Sequence, residues 1–168
     1  SLKNKKYNDL SSINEKSIVV PLGEVKISRK IESLSIIVRT NSNVYISDQN
    51  KKRIFNEDKA KYIEKSLNSL VASINEFKIK NNKFTIDLII VDQSDSEIMS
   101  LKFNKIFSRL DFKPKIIPFN KNEFKEEVNL DYNKDVFGNL SSLLKCFKIA
   151  KENDVDLILF LEDDYLHK

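Results

Sequence analysis

Three carboxylates, Glu162, Asp163 and Asp164, stand side by side directly after the apolar run "LILFL" at 157–161. Adjacent carboxylates repel one another, and a buried charge without a partner is expensive. A bound divalent cation is the simplest relief. Hard oxygen ligands suit Mg²⁺ or Mn²⁺, which commonly bridge one or two carboxylates to substrate phosphates. The bland alternative is a solvated acidic turn; the unbroken apolar strand leading into it favours the functional reading. Two further strand ends carry polar groups. Asp92 closes "TIDLIIVD", where it suits a hydrogen bond to a base or ribose, or an ordinary Asx turn. Arg39, Thr40 and Asn41 close "LSIIVRT". They could line a nucleotide pocket, with Arg39 giving two parallel hydrogen bonds to a diphosphate; a surface turn stays open as the other reading.

Weaker candidates follow. Ser94 opens "SDSE", which matches a helix capping box. A helix start also attracts anions, but no Gly-rich loop accompanies it, so a P-loop or dinucleotide cradle is unsupported. His167 is the single histidine and reads as an exposed residue at a frayed end. The single Cys146 lies in the apolar-periodic "LSSLLKCFKIA" and reads as buried filler.

These residues need elements to position them. The 168 residues are 40% hydrophobic and 32% charged, the balance of a domain with a real core. No apolar run reaches the roughly 20 residues of a spanning helix. "SLKNKKYNDL" lacks the apolar stretch of a secretory signal. The net charge is only +4, with basic and acidic residues interleaved, so a nucleic-acid stripe is not expected. Weak attraction to phosphate ligands or a peripheral contact with anionic lipid stays open. With one cysteine and no sign of an oxidising compartment, the expected location is the cytoplasm.

Residues 1–33 read as a lead-in, with short strands around Pro21 and Gly23. Residues 34–168 alternate strands and helices. "LSIIVRT" is a strand buried on both faces. A helix capped at Asn56 follows, with Ala60, Ile63, Leu67, Leu70, Ile74 and Phe77 on its apolar face. "TIDLIIVD" is the second strand, then comes a helix from about Glu97 to Leu110, then a short strand in "KPKIIPF". Residues 120–137 read as an irregular loop. "GNLSSLLKCFKIAKEND" is a helix with Leu140, Leu143, Leu144, Phe147 and Ala150 inward, and "DLILFL" is the last strand. This order implies an α/β fold, a mostly parallel central sheet with helices on both faces. Ligands in such sheets bind beyond the carboxyl ends of the strands.

"LSIIVRTNS", "IDLIIVDQSDS", "FGNLSSLLKCFKIAKE" and "LILFLEDDYLH" together resemble the GT-A fold glycosyltransferases, and more narrowly the family-2-like nucleotide-diphospho-sugar transferases. The resemblance spans roughly Leu34 to Lys168, with the acid turn in the place of the DXD motif. It implies a hexosyltransferase-like enzyme with a UDP- or GDP-linked sugar donor and a divalent cation, Mn²⁺ or Mg²⁺. Asp92 would contact the base or ribose, and Thr40 and Asn41 would border the base. Asp164 would hold the metal. Glu162 and Asp163 would serve its water shell or the donor's hydroxyls, with Glu162 near enough to count as a ligand. Gln93 and Glu162 depart from the usual acids of the pattern. The resemblance also places the acceptor site and any general base beyond Lys168, so that these residues form a donor-binding half. The rivals are a metal-dependent phosphoryl-transfer or phosphatase-type α/β domain and a non-catalytic donor-binding module.

Overall fold

The segment "SLSIIVRT" forms strand β1, Ser33–Thr40, because its β-branched and apolar residues suit a strand covered on both faces. Three more strands join it: β2 (Thr85–Asp92), β3 (Lys115–Pro118) and β4 (Leu157–Glu162). The computed structural model describes residues 30–42, 57–93, 97–128 and 134–167. The chain divides into two compact units, Ser1–Lys30 and Ile31–Lys168, and every element named here belongs to the second. The strands expected around Pro21, the Asn56 cap and the Ser94 capping box lie outside the described residues.

All strand pairs are parallel, in the order β3-β2-β1-β4. Parallel neighbours need crossover connections, and helices α1 (Lys59–Lys80), α2 (Glu97–Phe107) and α3 (Lys134–Lys151) supply them. Side chains alternate between the two faces of the sheet. Ile36, Val38, Leu88 and Ile90 therefore point to one face, where Ile63 and Leu67 of α1 and Phe103 of α2 cover them. Ile37, Ile89 and Val91 point to the other, against Phe137 and Cys146 of α3 and Phe124 of a 3-10 turn at Lys121–Phe124. The α/β fold with helices on both faces is thus present.

Several local expectations change. Helix α1 begins at Lys59, capped by Asp58, whose Oδ1 accepts the Lys61 N–H at 2.9 Å. The stretch expected as an irregular loop holds the 3-10 turn, and α3 begins at Lys134 rather than at Gly138. Helix α3 is also rotated. Phe137, Ser141, Ser142 and Cys146 are buried, while Leu140 and Phe147 are exposed. The small inward serines let the helix lie close to the sheet, and Phe147 instead packs edge-to-face on Phe160 of β4, with 5.2 Å between ring centroids. Cys146 is buried as expected, and loss of solvation pushes its thiol up to about 11, which disfavours the thiolate.

The apolar run "LILFL" forms β4, which among the described residues is the edge of the sheet. Leu157, Leu159 and Phe160 are left exposed, Leu159 at 43%. An edge strand with apolar side chains on both faces invites pairing with another chain. Placing a charge there blunts that tendency, so Leu159→Lys is expected to reduce concentration-dependent association in sedimentation velocity while the circular dichroism spectrum stays unchanged. Identical sedimentation of variant and parent at high concentration would count against β4 as the sticky edge.

Candidate functional site

The strand order reverses direction at β1. From β1 the chain moves outward to β2 and β3, then returns to add β4 on the other side of β1. A parallel sheet offers a crevice at such a switch, outside the carboxyl ends of the strands. Six of the residues singled out by sequence meet at these tips. Thr40 is the register partner of Asp92, and Arg39 is the partner of Glu162. The Thr40 hydroxyl donates to Asp92 Oδ1 at 2.6 Å, both residues buried. The Asn41 N–H donates to Asp163 Oδ2 at 3.1 Å, which ties the end of β1 to the turn after β4. Two backbone bonds complete the lip: Gln93 N–H to the Thr40 carbonyl at 2.9 Å, and Phe119 N–H to the Asp92 carbonyl at 2.8 Å.

The three acids have three different environments. Glu162 lies on the α3 face of the sheet with Arg39 and forms an ion pair with its guanidinium. The same guanidinium donates to the Asn139 side chain at 2.5 Å, to the Asn139 carbonyl at 3.1 Å and to Ser142 Oγ at 3.3 Å. Arg39 is therefore committed to α3 and β4. Asp163 lies on the α1 side, where Lys59 Nζ approaches its Oδ1 to 2.5 Å; the side chains are 13% and 9% exposed. Asp164 is exposed, with no ion-pair partner among the described residues.

These two ion pairs differ in weight. Glu162 is half in water, and pairs of that kind contribute about 0–1 kcal/mol. Asp163 is buried and Lys59 half-buried, and losing the lysine from such a pair costs up to about 3 kcal/mol because the carboxylate is left stranded. Of the residues expected to hold a metal, Glu162 is paired with Arg39 and Asp164 is exposed. Glu162 and Asp163 are consecutive residues at the end of a strand and turn to opposite faces, and among the described residues no three His, Cys, Asp or Glu side chains converge on one point. The acid turn is dispersed by strand alternation.

Lys59, Asn139 and Ser142 were not foreseen as site residues. Lys59 carried one faint signal: it is the first residue of α1, where the helix dipole disfavours a cation, and no acid stands in that first turn to balance it. Gly138 also belongs to this region. A Cβ there would meet Gln93 Nε2 at 3.1 Å, so the first turns of α3 lie directly against the tip of β2. Asp156 does related work at the other end of β4. Its Oδ2 accepts from the Glu32 and Ser33 backbones at 2.8 and 3.1 Å, pinning the start of β4 to the start of β1. Ser94 lies outside the described residues. A cavity of about 380 Å³ opens among Phe107, Leu110, Phe112, Pro114 and Ile116, at the amino end of the sheet and away from these tips.

His167 is not the frayed residue that the sequence suggested. The chain after Asp164 folds back on α1, where the His167 N–H donates to Ser69 Oγ at 2.9 Å and its ring nitrogen sits 3.5 Å from Ser66 Oγ. Tyr165 and Leu166, in between, are exposed. Comparison with family models, with curated proteins and with solved structures returns no match.

Two outcomes follow from these contacts. Lys59→Met leaves Asp163 buried without its cation, so denaturant unfolding is expected to show a loss of about 3 kcal/mol; adding Asp163→Leu should restore most of it. Equal loss in the single and double variants would mean that the pair itself is not the cause. Burial lowers the His167 pKa below its ordinary 6.5. The unfolded chain then takes up the proton first, so stability held above pH 6.5 is lost as pH falls through that value. Urea unfolding from pH 7.5 to 5 should show this decline, and His167→Gln should flatten that part of the profile.

Proposed function

We propose that this chain provides the donor-binding half of a glycosyltransferase, holding a nucleotide-diphospho-sugar, UDP- or GDP-linked, at the carboxyl tips of β1, β2 and β4. The observation that carries this reading is the gathering of Thr40, Asn41, Asp92 and Asp163 at one lip, beside the switch in strand order between β1 and β4. The GT-A architecture is the finer interpretation of the all-parallel sheet. In it, Asp92 accepts a hydrogen bond from the base or ribose, and Thr40 fixes its orientation from below. Thr40 and Asn41 border the base. Glu162, held by Arg39, and the exposed Asp164 face the sugar side of the ligand.

The chain's own groups act here by orientation. A carboxylate held by the Thr40 hydroxyl has a fixed orientation, and a preorganised group costs little ordering when a ligand arrives. The acceptor's general base is assigned to none of the residues at these tips.

Calorimetry with UDP and with GDP tests the assignment. One of the two nucleotides is expected to bind the parent, and Asp92→Asn, which keeps the shape but removes the charge, should weaken that binding by about tenfold or more. Failure of both nucleotides to bind, or equal affinity in parent and variant, would refute a donor site at this lip.

A further inference from the structure

The resemblance calls for a divalent cation on the acid turn, and the side chains there answer that demand in another way. We infer that the turn is neutralised from within, by Lys59 on Asp163 and by Arg39 on Glu162, and that it holds no divalent ion of its own. The inference concerns the same strand tips as the donor reading, but it does not depend on a nucleotide binding there.

Both carboxylate oxygens of Asp163 are in use. Oδ1 receives Lys59 Nζ at 2.5 Å and Oδ2 receives the Asn41 N–H at 3.1 Å. A cation would have to displace a partly buried ammonium, and would then leave Lys59 next to a second positive charge. Glu162 is drawn to the opposite face by its own register with Arg39, so it cannot turn to meet the same ion without leaving the guanidinium. Only Asp164 is left unpaired. Without a phosphate ligand to share the ion, a single exposed carboxylate holds Mg²⁺ or Mn²⁺ only weakly, the other positions being water.

The consequence reaches any anionic ligand at these tips. With no resident ion, the positive charge available to a diphosphate is the chain's own, and Lys59 is the group placed to supply it. It sits at the first turn of α1, where unsatisfied backbone N–H groups add to the positive field. Lys59 is in this reading a positioning residue. It holds the acid turn against β1 and brings a fixed cation to the crevice.

The test uses the full chain with Mn²⁺ alone and no nucleotide, following free Mn²⁺ by electron paramagnetic resonance. The parent is expected to show no saturable binding at the acid turn in the millimolar range. Lys59→Met, which frees Asp163 beside Asp164, is expected to acquire a Mn²⁺ site that Asp163→Asn added to it removes. Saturable binding by the parent that is lost in Asp164→Ala or in Asp163→Asn would overturn the inference. So would Lys59→Met and parent titrations that coincide, for then Lys59 does not guard the turn. Since Lys59→Met loses stability, its circular dichroism spectrum is compared with the parent's, and the parent titrations against the two acid variants decide the matter if it unfolds. Nucleotide binding that fails while Mn²⁺ behaves as expected would sink the donor reading and leave this inference standing.

Discussion

Strand β1 is hydrogen-bonded on both sides, and its two registers fix everything at the carboxyl end of the sheet. Thr40 lies opposite Asp92 and Arg39 lies opposite Glu162. Because side chains alternate in a strand, those two pairings also choose the faces. Thr40 and Asp92 go with α1, while Arg39 and Glu162 go with α3. A slip of one residue in either pairing would invert the assignment and send the core residues Ile36 and Val38 to the wrong side. The apolar cores on the two faces thus enforce the register, and the register in turn delivers the polar groups. Asp156 guards the same register from the other end, with the backbone of β1 bonded to its carboxylate.

The electrostatics of the tips follow from this geometry. Three consecutive acids would repel strongly if they shared one pocket. Strand alternation and the turn after β4 send Glu162 to a guanidinium, Asp163 to an ammonium and Asp164 to water. Of the two ion pairs, the one at Asp163 is the more shielded from water, so there a missing partner carries the larger penalty. Lys59 in turn occupies a helix start where its charge is unfavourable without Asp163. Each member of the pair makes the other's position tolerable. The pair also links α1 to the turn after β4, which the Asn41 N–H ties to the end of β1.

Element types were readable because they are set by local pattern. β1 and β2 are continuous apolar runs bounded by polar residues, and α1 shows its buried face at helical spacing in Ile63, Leu67, Leu70 and Ile74. The parallel sheet follows from their alternation. The inward face of α3 was not readable. Leucines and a phenylalanine lie on several sides of that helix, and hydrophobicity alone favoured Leu140 and Phe147. The close approach of the helix to the sheet selected the smaller Ser141, Ser142 and Cys146 instead. The same limit applies to β4. Its apolar run is equally consistent with a central strand and with an edge strand, because composition does not say how many neighbours a strand acquires.

By itself the sequence determined an α/β chain with apolar strands ending in Arg39–Asn41, Asp92 and Glu162–Asp164, since strand and helix signals are carried by residues near one another. The tertiary structure alone decided that Thr40 meets Asp92, and that Asp163 meets a lysine 104 residues away. That pairing depends on β4 returning to the open side of β1 with its acid turn beside the first residue of α1. No spacing along the chain records it, because electrostatic partners are chosen by distance in space and by burial.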